Sequence, residues 1–204
     1  MRWPEASFGD YFLRFLQGVE NTAAHSFNIS KAYNYLFYRH MVFRELKKSD
    51  LQTGDRVLHI GSGALPLTGI ILAQQGIFVR GVDYSERAIR AARQLVKKYE
   101  LQEMIEFQHQ EARNMLKKAA TRKINAANYL DSWDGVWISL HVFSKKEIIQ
   151  KLCQLLAPGT KIIYRNPRGW LERFYVPVAA NELGCVRSKK VSHNLSKESI
   201  IFSV

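Results

Sequence analysis

Gly61, Ser62 and Gly63 follow directly on the apolar run 57–60, and a carboxylate, Asp83, closes the next apolar run about 20 residues further along. These types at this spacing suit a nucleoside. Glycine admits turns and close backbone approach that a Cβ forbids, and an acid so placed accepts hydrogen bonds from ribose hydroxyls. The third glycine of a dinucleotide fingerprint is missing, with Pro66 in its place. A pyrophosphate needs the approach those glycines allow, which argues against a nicotinamide or flavin cofactor. S-adenosylmethionine carries no phosphate and fits better, with Asp83 on the ribose and the turn cradling the amino acid end. Leu65, Pro66, Tyr84 and Ser139 complete the expected cofactor contacts around Gly61, Ser62 and Gly63. Glu111, just past the third strand, could accept a hydrogen bond from the adenine amino group.

Further side chains stand where an open α/β sheet places its ligand crevice, at strand carboxyl ends. His141 ends the fourth strand and is read either as a substrate contact or as a hydrogen-bonded structural histidine. Arg165 ends the fifth, where a guanidinium either pairs a substrate carboxylate bidentately or braces a loop. His59, inside the first strand, reads as core.

The elements that must position these groups can be followed along the chain. Residues 8–25 read as a helix with Phe8, Tyr11, Phe12, Phe15, Leu16 and Val19 on one face. Ser30 can cap a second helix reaching about Lys48, with Tyr33, Leu36, Phe37, His40, Met41 and Leu46 at helical spacing. Residues 1–50 are thus placed either as a helical cap over the cofactor or, through their aromatic stripe, as plain core. From 51 onward one unit of alternating strands and helices is expected. Strands fall at 57–60, 77–82, 104–108, 133–140 and 161–165. The first helix has Pro66 in its first turn and Leu67, Ile70, Ile71 and Ala73 toward the sheet. Ser85 caps a helix from Glu86 to about Tyr99; residues 113–130 form a basic helix with an irregular extension; residues 145–156 are amphipathic. After a helix or loop over 170–178, two short strands at 184–188 and 198–202 should form an antiparallel hairpin. The expected fold class is α/β, a doubly wound Rossmann-like sheet with a C-terminal antiparallel hairpin and an N-terminal helical cap.

The chain has 204 residues, 47% hydrophobic and 24% charged, enough for one domain with a substantial core. It shows no repeat, no run approaching a membrane span and no signal-peptide pattern, so a cytoplasmic location is expected. Cys153 and Cys185 lack metal-ligand spacing and read as reduced thiols; no metal site is expected. The net charge of +12 attracts polyanions without defining a site, so an acidic small molecule is as compatible as a nucleic acid.

The run Gly61-Ser62-Gly63-Ala64-Leu65-Pro66-Leu67-Thr68 resembles the GSGPLPLT signature of the nicotianamine synthase-like branch of the class I S-adenosylmethionine-dependent methyltransferase fold, differing at Ala64. Farther on, Leu156-Ala157-Pro158-Gly159, Arg165, Gly169 and Tyr175 resemble that branch's APG, strand, Arg-x-x-x-Gly and Tyr-Pro run, with one residue between Tyr175 and Pro177. The resemblance covers residues 51–204 well and the N-terminal helices loosely. It implies a glutamate on an early helix and a tyrosine ahead of the nucleotide unit that serve the chemistry. Glu20, Tyr33 and Tyr35 are the nearest matches, with Arg165 and Tyr175 toward substrate.

A sulfonium can be displaced at any of its three carbon arms. Attack at the γ-carbon of the amino acid arm transfers a 3-amino-3-carboxypropyl group and releases methylthioadenosine, either to another amine or, by cyclisation, to the cofactor's own as in azetidine-2-carboxylate synthases. Attack at the methyl makes a methyltransferase. The resemblance implies the first chemistry, on a small amino acid-like substrate or on the cofactor alone; small-molecule methylation is the alternative. An RNA base-amino methyltransferase is disfavoured, because Ile138-Ser139-Leu140-His141 lacks the Asn/Asp-Pro-Pro-aromatic pocket.

Overall fold

The computed structural model describes residues 38–121, 132–184, 187–193 and 197–204. The helix expected over 8–25, the residues Glu20, Tyr33, Tyr35 and Cys185, and the extension over 122–130 lie outside the described residues.

Among the described residues seven strands form one sheet: β1 (Arg56–Ile60), β2 (Phe78–Asp83), β3 (Ile105–His109), β4 (Gly135–Ile138), β5 (Lys161–Pro167), β6 (Lys189–His193) and β7 (Lys197–Ser203). Their order is β3-β2-β1-β4-β5-β7-β6. The first five are parallel, while β7 runs antiparallel to both β5 and β6. This is the expected doubly wound sheet with an antiparallel hairpin, and its direction of winding reverses between β1 and β4.

Helices α1 (Arg39–Ser49), α2 (Leu67–Gln74) and α3 (Glu86–Lys98) cover one face; α4 (Ala112–Thr121) and α5 (Lys145–Leu155) cover the other. Alternation along the strands sorts side chains between the two layers. Val57 joins the core beneath α2, whereas Leu58 and Ile60 meet Leu116 and Ile149 on the opposite face. All four residues of β4 are buried, as a central parallel strand covered on both faces requires. Helix α2 is buried from Leu67 through Ala73, because it lies between the sheet and α1. Helix α3 begins where expected, with the Ser85 hydroxyl accepting the Ala88 N–H at 3.2 Å, and it buries Ile89, Ala92, Leu95 and Val96. Lys97 and Lys98 in its last turn complement the helix dipole. Among the described residues no helix is long and apolar enough to cross a membrane.

Several boundaries differ from expectation. Pro66 stands just before α2 rather than within it, and its carbonyl accepts the Ile70 N–H at 2.9 Å. Strand β4 begins at Gly135, leaving Trp133 outside it, its indole faced by the Arg56 and Arg80 guanidiniums at 5.1 and 5.2 Å. Strand β5 continues two residues past Arg165, because β7 offers Glu198 and Lys197 as partners for Asn166 and Pro167. The sixth strand lies at Lys189–His193, not at 184–188: a 3-10 turn, Ala180–Leu183, ends on Gly184 in the left-handed region, and pairing starts only where β7 is in register.

Candidate active site

The turn after β1 is pinned to the end of β2. Gly61 and Ser62 both donate backbone N–H groups to the Val82 carbonyl, at 2.8 and 3.2 Å. Gly61 has φ +74°, and a Cβ there would come within 2.6 Å of Val142. The turn sits this low because β2 is bare beneath it. A Cβ on Gly81 would meet the Phe107 ring at 2.6 Å and Ser62 at 3.1 Å. Asp83 completes the arrangement: Oδ2 accepts the Gly63 N–H and Oδ1 the Ser85 N–H, both at 2.9 Å. Its carboxylate therefore locks the glycine turn to the start of α3, and each oxygen keeps further acceptor capacity.

A cleft opens at the carboxyl ends of β1 and β4, the switch point of the sheet, where such folds bind ligands. His59, Gly61, Ser62, Gly63 and Leu65 line it from β1 and its turn, and Thr68 lines it from α2. Ser139, Leu140 and His141 contribute from the end of β4, Arg165 from β5, Lys197 from β7 and Tyr38 from the start of α1.

Arg165 is held by the protein's own carboxylate. Its Nε and Nη2 donate to the two oxygens of Glu45 at 2.8 and 2.7 Å, and Nη1 donates to Thr68 Oγ1 at 3.0 Å. Both partners of the pair are buried. Ser199 donates to Glu45 Oε1, and His193 Nε2 lies 2.9 Å from the Ser199 hydroxyl. Burial alone would raise the Glu45 carboxyl, but the Arg165 charge and the hydrogen bonds from Arg165, His193 and Ser199 hold it at about 2. The bidentate geometry expected of Arg165 is thus present, but its partner is Glu45 on α1. The guanidinium reaches the cleft as a fixed cation, 5.8 Å from the centre of the Tyr38 ring, and Lys197 lies at the same distance.

On the rim, His141 Nδ1 and the Tyr175 hydroxyl are 2.7 Å apart, with the rings edge to face at 5.2 Å. One side of the imidazole faces solvent, yet burial of the remainder, with the Lys197, Lys145 and Arg165 charges, pushes it down to about 4. Beneath it, buried Lys145 donates to the Leu140 carbonyl at 3.1 Å and the Arg165 carbonyl at 2.5 Å, tying the ends of β4 and β5 together. Burial and the Arg165 charge lower its amine to about 7.

Of the residues expected at the site, Gly61, Ser62, Gly63, Leu65, Ser139, His141 and Arg165 meet in this cleft, with Asp83 behind the turn and Tyr175 against His141. Pro66 starts α2 without lining the cleft. Tyr84 is 67% exposed. Glu111 does not line the cleft either, because Arg113 and Asn114 bind its carboxylate. Sequence reasoning passed over Tyr38, Glu45, Thr68 and Lys197, and it took His59 for core alone. Tyr38, Val42, Glu45 and Ser49 keep one helical phase, so an acid standing in a buried stripe was the available signal.

The chemistry of the lining suits a phosphate-free nucleoside. The turn is bare where it must approach a ligand, and two buried polar atoms, His59 Nδ1 and Ser62 Oγ, have no hydrogen-bond partner among the described residues.

The comparisons agree on the fold. The crystal structure of MtNAS in complex with MTA and tNA superposes with a TM-score of 0.76 at 19% identity, covering 95% of this chain and 73% of that one. A SAM-dependent methyltransferase from Aquifex aeolicus gives 0.59 at 14% identity, covering 85% and 93%. In sequence, an L-histidine 2-aminobutanoyltransferase of Yersinia pestis is 28% identical over 158 residues, 76% of this chain and 54% of that protein. The chain spans about half the length of the curated relatives it matches. The family described as nicotianamine synthase protein matches residues 5–204, so the chain belongs to the nicotianamine synthase family.

Proposed function

We propose that the chain is an S-adenosylmethionine-dependent transferase that moves the 3-amino-3-carboxypropyl arm onto an amine and releases methylthioadenosine. The observation that carries this reading is the glycine turn locked by Asp83 at the switch point, in a chain of the nicotianamine synthase family. When bound, S-adenosylmethionine supplies a γ-carbon activated by the sulfonium: the acceptor nitrogen's lone pair forms the N–C bond, the C–S electrons return to sulfur, and the amine sheds a proton. The solved relative in complex with MTA and tNA, and the relative named for transfer to L-histidine, support an amino acid-like acceptor.

Within this reading Asp83 orients the ribose, while Gly61, Ser62, Gly63 and Leu65 hold the amino acid end. The faces of Tyr38 and the fixed charges of Arg165 and Lys197 bound the opposite wall. His141 and Tyr175 act as a pair that takes the proton from the amine. Glu20, Tyr33 and Tyr35 are proposed as further contributors from the N-terminal side. Because an α-amino group has a pKa of roughly 8, little help is needed to free its lone pair, and alignment contributes more than the base. His141→Ala is accordingly expected to lower kcat by about 10-fold to 100-fold while leaving methylthioadenosine affinity unchanged, and Tyr175→Phe to lower it less. Steady-state kinetics beside calorimetric binding checks this; unchanged kcat in both variants removes the pair from the chemistry.

The test of the function itself is product identity. The purified protein is incubated with S-adenosylmethionine, alone and with an amino acid pool, and the nucleoside is identified by mass. Methylthioadenosine with a new aminocarboxypropyl amine is the expected result. Azetidine-2-carboxylate from the cofactor alone would identify the cyclising form, and S-adenosylhomocysteine would overturn the reading in favour of methylation.

A further inference from the structure

Residue 59 lies in a strand covered on both faces, and a histidine there carries polar atoms into an apolar layer that includes Val57, Ile163 and Trp137. The residue is 2% exposed. Nε2 reaches across the switch point to the Ser139 hydroxyl at 2.9 Å, joining the ends of β1 and β4 along the floor of the cleft. Nδ1 is buried with no partner among the described residues. The same holds for the hydroxyl of Ser62, a residue three positions on that is 4% exposed. Both residues line the cleft. A buried polar atom without a partner is destabilising, and on the lining of a cleft a ligand or water can satisfy it.

We propose that His59 Nδ1 and Ser62 Oγ form a two-point seat for a carboxylate carried by the ligand. The charge around them selects an anion over an ammonium group. Arg165 and Lys197 also line the cleft, and the described lining contains no acidic side chain, Glu45 being engaged behind Arg165. The hydrogen-bond polarity is consistent with this. When Ser139 Oγ–H donates to Nε2, the neutral imidazole carries its proton on Nδ1 and donates it, and the Ser62 hydroxyl donates beside it. The ring stays neutral through the working range, since burial and the Arg165 charge, only partly offset by Glu45, hold it at about 3. The inference rests on the nucleoside reading of the cleft and adds a residue pair that chooses among ligands by their carboxylate. Two carboxylates qualify, that of the aminocarboxypropyl arm and that of an amino acid acceptor.

Calorimetric titration separates them. The first arm compares S-adenosylmethionine with its decarboxylated form, in wild type, His59→Leu, Ser62→Ala and His59→Asn. The second titrates L-histidine into the same proteins saturated with methylthioadenosine. If the arm's carboxylate occupies the seat, wild type prefers S-adenosylmethionine by about 10-fold to 100-fold. His59→Leu and Ser62→Ala then lose most of that preference with methylthioadenosine binding intact. His59→Asn, whose amide N–H falls near the Nδ1 position, retains part of it and shows that the loss is not one of packing. If the acceptor's carboxylate occupies it, the preference survives and L-histidine affinity falls in the same variants. Unaltered binding in both arms overturns the inference alone. Failure of wild type to bind methylthioadenosine overturns the nucleoside reading and the inference with it.

Discussion

Arg165→Met is expected to lower stability by about 3–5 kcal/mol, because it leaves the Glu45 carboxylate buried and uncompensated. For a chain of this size that is a fall of about 6–20 °C in thermal midpoint. Glu45→Gln should cost a similar amount, since an amide cannot accept from both Nε and Nη2. The double change Glu45→Met with Arg165→Met should recover much of the loss, because both charges leave together. Differential scanning calorimetry of the three proteins measures this. Single variants within about 1 kcal/mol of wild type would show that the pair is not buried as described.

The same pair sets a pH dependence. Glu45 is held at about 2 against an ordinary 4.5, so the folded state binds its proton more weakly than the unfolded chain does. Its contribution is therefore fully present above 4.5 and is lost as pH falls toward 2. Acid unfolding of wild type should be steep across that window, and the double variant should lose this share of the slope.

Asp83→Asn is expected to weaken methylthioadenosine binding by about 100-fold or more, from two separate losses. The amide retains one acceptor oxygen, so either the Gly63 or the Ser85 N–H must face an NH2 group and the turn loses a tether. On the proposed reading the ribose also loses a charged acceptor. Methylthioadenosine lacks the amino acid arm, which makes this variant the complement of His59→Leu: the first loses the bare nucleoside, and the second keeps it. Methylthioadenosine affinity within about threefold of wild type for Asp83→Asn would remove Asp83 from the nucleoside site.

The unit running from β1 through the glycine turn and α2 to Asp83 was legible in the sequence because its determinants are local. A buried run, a turn that admits no Cβ and an acid at the end of the next strand all follow from the dihedral and burial needs of neighbouring residues. The Ser85 cap is of the same kind. The antiparallel C-terminal hairpin was also foreseen, but not its bounds. Strand β6 starts where β7 is in register, and register is a property of two strands.

What the sequence by itself determined is therefore the sheet's winding, the place of its crevice and the glycine turn followed by its acid. Only the tertiary structure decided which side chains meet there. Arg165 and Glu45 lie 120 residues apart, and nothing local couples them. Tyr38 turns toward the cleft because of where α1 docks on α2, β6 and β7, which helical periodicity alone cannot say. In a strand buried on both faces, a continuous apolar run does not reveal which face a histidine takes. His59 became a candidate ligand contact only when β4 placed Ser139 against one ring nitrogen and left the other without a partner among the described residues.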